Sequence, residues 1–224
     1  MKEEKDLSGP TGLEKKPLFS EQAYSLLKEM ILEMKISPKE CLSESKLAAM
    51  IGMSRTPVRE ALKRLKNEAI VISSDKKGYF LNVPTLKEIK DLYELRAILE
   101  SGAVKLAAPR IDLVKLEGFE AQFLAFKDEA AQADAKDYDF VQLGREFHFF
   151  IVESTENREI KELIKGIYER LEISRVYSYD KRRQEAVDEH LQIVQALKER
   201  SPEKCYACME EHLKNAFETL IKIL

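Results

Sequence analysis

Glycine and proline are scarce in this chain, and their scarcity narrows the folds open to it. Among 224 residues there are 8 glycines and 7 prolines, against a usual combined share of roughly 12%. A chain with so few turn formers favours long helices over hairpins. The apolar residues repeat accordingly. Ala23, Leu26, Leu27, Met30, Ile31 and Met34 fall at i, i+3, i+4, i+7, i+8 and i+11, one face of a 3.6-residue period. Ser37-Pro38 breaks that pattern. Ser43 suits the N-cap of a short helix through Ile51, and Gly52 permits a tight turn behind it. A third helix starts near Ser54–Thr56, carries Pro57 in its first turn and runs to about Asn67. Val71-Ile72 and Tyr79–Val83 read as two short strands around the polar turn Ser73–Gly78, and Pro84 closes the module.

Beyond Pro84 the pattern is helical throughout. Thr85 and Glu88 make a capping box for a helix that reaches about Ala108, where Pro109 stops it. Further helices are expected at about 112–135, 137–154, 157–178, 183–199 and 202–222, the last opened by Ser201-Pro202. Six helices on short loops point to an antiparallel bundle. The expected fold class is therefore mainly α. Residues 1–18, which mix charge with Ser, Gly and Pro, read as a mobile arm. Residues 19–84 have the element order of a winged helix-turn-helix domain, and 85–224 form an all-α antiparallel bundle.

The net charge of −3 hides a division. Residues 1–84 hold 15 Lys and Arg against 12 Asp and Glu, and the remainder hold 22 against 28. Two domains with different partners explain such a split. The third helix of the first domain is two-faced. Val58, Ala61, Leu62 and Leu65 share an apolar side, while Arg55, Arg59, Lys63 and Lys66 recur on another. A helix that reads the major groove needs one face to anchor it and another to carry long donors, with its N-terminal residues reaching base edges. Arg offers guanine a bidentate fork, and Ser54, Thr56 and the helix N-terminus suit phosphate oxygens. A basic face that is merely solvated remains the plain alternative. No apolar run is long enough to span a bilayer. The charged start of the chain is no signal peptide. Three cysteines, an odd number, fit a reducing cytoplasm better than a disulfide framework.

The stretch Leu42-Ser-Glu-Ser-Lys-Leu-Ala-Ala-Met-Ile-Gly-Met-Ser-Arg-Thr-Pro-Val-Arg-Glu-Ala-Leu-Lys-Arg-Leu65 resembles the GntR family of bacterial transcriptional regulators. The resemblance implies a winged-helix domain that binds operator DNA as a dimer. It implies DNA contacts from Ser45, Ser54, Arg55, Thr56, Arg59 and Gly78, to which the basic stripe adds Lys63. The chain departs from the family's glycines at Met34, Lys39 and Ala69, all expected at turns.

The three histidines, His148, His190 and His212, lie on three different expected helices of the bundle, each on an apolar stripe. Imidazoles from facing helices can build a metal site. They can equally be core histidines bonded to neighbours. Arg96, on a stripe with Leu92 and Leu99, needs an anion if buried. That anion is either Glu100 four residues on or an acidic ligand. Cys205-x-x-Cys208 sits inside a helix with no second pair, so small core positions are the better account than redox or zinc chemistry. Residues 86–221 resemble the FCD type of GntR effector domain, through Asp91–Glu100, Phe147-His148, Asn157, Glu189-His190 and Glu211-His212. The resemblance implies a divalent metal, held by one Asp and three His, that helps to bind a carboxylate effector. The Asp position is Gly144 here, so zinc or nickel on three His is the form implied, with Cys208 as a conceivable substitute ligand. The expected protein is a ligand-responsive, homodimeric regulator, a repressor, rather than an enzyme. A metal-dependent enzyme fused to a DNA-binding module, and a bundle that only dimerises, are the alternatives.

Overall fold

The computed structural model describes residues 19–33, 35–37, 40–74, 78–129, 137–173 and 183–223. The expected arm 1–18, the turn residues Met34 and Lys39, and the expected helical stretches 130–135 and 174–178 lie outside them. The chain divides into two compact units, Met1–Leu81 and Asn82–Leu224.

The first unit contains α1 (Phe19–Leu32), α2 (Glu44–Ile51), α3 (Arg55–Asn67), β1 (Val71–Ser74) and β2 (Gly78–Leu81). α1 and α2 pack on α3. The apolar face of α3, Val58, Ala61, Leu62 and Leu65, is buried with Leu27, Ile31 and Leu47. Ser43 caps α2 by accepting from the Lys46 amide, as its position before the apolar run predicts. β1 and β2 pair antiparallel, Val71 opposite Leu81 and Ser74 opposite Gly78. A bridge between Leu42 and Tyr79 ties this ribbon to the segment that leads into α2. The Gly78 backbone has φ +101°, and a Cβ there would lie 2.9 Å from the Leu42 carbonyl oxygen. Glycine is required at that closeness.

α3 ends in a left-handed residue, Ala69, with φ 56°. The Ile70 amide donates to the Leu65 carbonyl and the Ala69 amide to the Lys66 carbonyl. This pairing closes a helix C-terminus and normally recruits glycine. Ala69, one of the positions where a family glycine is missing, therefore keeps the left-handed turn despite its Cβ.

The second unit contains α4 (Leu86–Ala107), α5 (Leu113–Glu129), α6 (Asp137–Glu153), α7 (Arg158–Ile173), α8 (Arg183–Lys198) and α9 (Pro202–Ile223). Thr85 and Glu88 complete the capping box of α4 on both sides. α4 packs on α9, α7 and α6, and α8 packs on α9 and α5. The larger core gathers Val104, Leu116, Phe123, Phe147, Val194 and Met209. Cys205 is buried in that core and its thiol is pushed up to about 12, chiefly by burial, as a small core position would have it. Two helix ends of this unit also turn left-handed without glycine, at Glu156 (φ 56°) after α6 and at Arg200 after α8. Arg200 (φ 49°) ends α8, and its guanidinium donates to the Ala108, Pro109 and Ile111 carbonyls, where α4 stops.

Candidate nucleic-acid interface and histidine cluster

α3 presents Arg55, Arg59 and Lys63 on its exposed face. Ser54 is its N-cap, but its side chain makes no capping bond, so the hydroxyl is left to other partners. Ser45 and Thr56 are exposed, and Gly78 is half-buried against Cys41 and Leu42, just before α2. The wing residues Lys76 and Lys77 lie outside the described residues. The sequence did not single out Glu44. Its carboxylate, 19% exposed, accepts from Arg59 Nε at 2.9 Å and Nη2 at 2.9 Å, and from Arg55 Nη2 at 3.4 Å. Hydrogen bonds from Arg59, ahead of Arg55, lower its carboxyl below the usual value. Both arginines are thus bonded to one acid of the neighbouring helix, Arg59 through two nitrogens and Arg55 through one. Lys66 Nζ donates to Ser73 Oγ on β1 at 2.7 Å.

The second site is made from four helices. His148 comes from α6, His190 from α8, His212 from α9, and Arg96 and Glu100 from α4. All five side chains are buried. The three imidazoles offer ligand nitrogens that lie within 4.8 Å of one another. His148 Nε2 and His190 Nε2 are 3.3 Å apart. Burial, ahead of the opposing Glu189 carboxylate, pushes His212 down to about 4, so at neutral pH it is an uncharged donor. Phe123 stacks on His190 at 4.7 Å, with the planes 12° apart.

Carboxylates stand behind two of the rings. His148 Nδ1 pairs with Glu100 Oε2. His212 Nδ1 pairs with Glu189 Oε2 at 2.8 Å, and Asn215 Nδ2 donates to the other Glu189 oxygen at 2.8 Å. Acids on the far nitrogen orient an imidazole and leave its other nitrogen to face an ion. Three converging imidazoles, two of them acid-backed, therefore fit a divalent ion such as zinc or nickel.

Arg96 Nε donates to Glu100 Oε1 at 2.7 Å and Nη2 donates to Tyr168 Oη at 2.8 Å, with the guanidinium 4.5 Å from the Tyr168 ring centroid. Burial alone would raise the Glu100 carboxyl. Arg96 and then His148 reverse that and hold it at about 2. Glu100 is thus one anion that meets Arg96. Among the described residues no Cys, Asp or Glu joins the three imidazoles as a converging donor. Cys208 lies one turn before His212 along α9 and its thiol is raised, chiefly by burial.

Two family models match this chain. The gntR family of bacterial regulatory proteins covers residues 19–81 and the FCD domain covers 91–215. The chain belongs to the GntR family, with an FCD second domain. The Nta operon transcriptional regulator of Aminobacter aminovorans is 33% identical over 87% of this chain and 91% of its own length. The HTH-type transcriptional repressor RspR of Escherichia coli is 24% identical over 91% of this chain and 90% of its own. In fold, Escherichia coli McbR/YncC superposes with a TM-score of 0.74 at 20% identity, covering 92% of this chain and 99% of that one. A GntR regulator from Rhodococcus sp. RHA1 gives 0.73 at 21% over 91% and 97%. This GntR protein is accordingly a DNA-binding transcriptional regulator, and the reading as an enzyme is set aside, because its families and relatives are regulators. No helix among its described residues is long and apolar enough to cross a membrane.

Proposed function

We propose that this GntR protein is a homodimeric repressor in the bacterial cytoplasm, reading an operator with its winged-helix unit and a small organic acid with its bundle. Ser45, Ser54, Arg55, Thr56, Arg59, Lys63 and Gly78 face the DNA in this reading. Arg55 and Arg59 lie at the start of α3, where a recognition helix reaches base edges. The observation that carries the ligand half is the convergence of His148, His190 and His212, with acids behind two of them. These three residues would hold a divalent ion, zinc or nickel, which would supply a Lewis-acidic position for the acid's carboxylate. Arg96, one residue layer back, keeps Glu100 ionised and so fixes the His148 ring. It also keeps positive charge beside the incoming acid. α4 leaves Leu95, Ile98 and Leu106 exposed at near-heptad spacing on one face, which favours a helix-to-helix dimer.

The acid changes operator affinity only as far as it binds two arrangements of the DNA-reading heads differently. His190→Ala tests the division of labour. The variant is expected to keep its operator affinity without ligand and to lose both metal and the response to organic acids. Gel-shift titration and thermal shift with and without acids would check it. A folded variant that no longer binds DNA would overturn the division.

Glu44→Gln addresses the DNA half. Removing the acid's charge frees two cations for phosphate, whatever the sequence. Affinity for random duplex is expected to rise severalfold and its salt dependence to steepen. Unchanged random-duplex affinity would mean that Glu44 does not restrain Arg55 and Arg59 in solution.

A further inference from the structure

Two of the clustered imidazoles are aimed by acids, His148 by Glu100 and His212 by Glu189. The His190 ring is enclosed by packing. Phe123 of α5 stacks on it with centroids 4.7 Å apart and planes 12° apart. Phe140 and Phe147 of α6 meet it edge-on, at 5.9 Å and 5.7 Å between centroids. All three phenyl rings and the imidazole are buried.

α6 itself takes up part of the remaining room. Gly144 lies between Phe140 and Phe147, one turn before His148. A Cβ on Gly144 would sit 3.1 Å from His190 Cε1 and 3.5 Å from Nε2. Non-bonded carbons settle at about 3.5–4.0 Å, so the ring would have to back away. The phenyl rings around it leave little slack in a close-packed interior. His190 Nε2 is also the atom 3.3 Å from His148 Nε2. Any retreat of the ring therefore moves a nitrogen of the cluster.

The backbone gives no other reason for glycine here. Gly144 is inside a helix, without the positive φ of Gly52 or Gly78, and alanine is the better helix former. Gly102, Gly118 and Gly166, also helical, have nothing within 4 Å of where a Cβ would lie. Among the helical glycines described, Gly144 alone has a neighbour in that space, and the neighbour is a histidine of the cluster.

We propose that Gly144 is a positioning residue for His190: its missing side chain lets the imidazole lie against α6 with Nε2 among the converging nitrogens. Position 144 then serves the ion through the placement of a ligand, and an acid restored there does not restore a ligand. This rests on the metal reading above.

The test uses the full-length protein stripped of metal, with zinc as the probe. Competition with a chromophoric chelator gives zinc affinity, and the visible spectrum of bound cobalt(II) reports the geometry of its ligands. Gly144→Ala is expected to weaken zinc about 10- to 100-fold, the usual cost of disturbing a group that orients a ligand, and to change the cobalt spectrum at saturation. Gly118→Ala, at an exposed helical position, should change neither. Gly144→Asp should bind zinc no more tightly than the wild-type protein. Phe123→Leu loosens the stack without adding a Cβ and should also change the cobalt spectrum, so the test stands even where Gly144→Ala fails to fold. Tighter zinc in Gly144→Asp overturns the proposal, because position 144 is then a vacated ligand. Wild-type affinity in Gly144→Ala overturns it too, and leaves the metal reading intact. Cobalt spectra unchanged in both Gly144→Ala and Phe123→Leu reduce these residues to a role in stability and overturn it likewise. No zinc in the wild-type protein, with circular dichroism still helical, overturns the metal reading and this one with it.

Discussion

Arg59→Ala should cost this protein a measurable part of its operator selectivity. Arg59 lies one turn from Arg55 and one turn from Lys63 on the exposed face of α3, and its planar fork already makes two parallel bonds to Glu44. The same fork fits the O6 and N7 acceptors of guanine. Losing a bidentate pair of that kind should weaken binding to a selected operator about five- to hundredfold and relax preference at one base pair. Lys63 offers a single mobile cation, here 2.9 Å from Glu60. Lys63→Ala should instead weaken selected and random duplexes alike and reduce the salt slope by about one. Fluorescence anisotropy on a duplex selected from a random pool, beside a scrambled one, at two salt concentrations, separates the two behaviours. Equal losses of Arg59→Ala on both duplexes would reduce Arg59 to a phosphate contact.

Glu100→Ala should damage the bundle more than any surface change. It would strip Arg96 of its carboxylate and His148 of its acceptor inside a site closed to water. Removing one partner of a buried ion pair typically costs about 3–5 kcal/mol, because the other charge stays buried and unmatched. That is a large fraction of a domain's stability of about 5–15 kcal/mol. Replacing both members, Arg96→Met with Glu100→Leu, should recover much of the loss. Urea denaturation of the full chain in the presence of a chelator would measure it, free of any contribution from bound metal. A Glu100→Ala loss below about 1 kcal/mol would mean that water reaches Arg96.

Helices were legible wherever a local rule suffices. Ser43, the Thr85–Glu88 box and the Ser201-Pro202 start all open helices where the sequence puts them, because a cap acts within three residues of itself. Helix ends were less legible. Gly52 announces its left-handed turn, but Ala69, Glu156 and Arg200 adopt the same conformation without glycine. Their closures depend on packing, as in the three carbonyls that Arg200 satisfies, and packing leaves no local mark. The scarcity of glycine thus predicted long helices without showing how they stop.

The candidate site follows the same division. His148, His190 and His212 could be named from their apolar stripes, yet only the fold brings their nitrogens together. Arg96 with Glu100 is an i, i+4 pair and was visible in the sequence. Tyr168 is 72 residues from Arg96, and Glu189 is 23 from His212. Cys208 illustrates the limit of spacing rules. An i, i+4 relation to His212 puts it on the same face but about 6 Å along the axis, one whole turn from its neighbour.

If α3 reads the operator as proposed, the bonds that Arg59 and Arg55 make to Glu44 bear on how such a protein searches a genome. Regulators meet millions of irrelevant sites for each one they must find, and time spent on those sites sets the rate of discovery. A phosphate backbone must outbid a carboxylate already in place before either arginine lets go. On arbitrary sequence that exchange brings little, and the protein moves on. Where guanine acceptors are aligned with the fork, a base edge and its flanking phosphates can displace Glu44 together. In that reading, Glu44 would hold both arginines back on arbitrary sequence and release them only where base acceptors meet the fork.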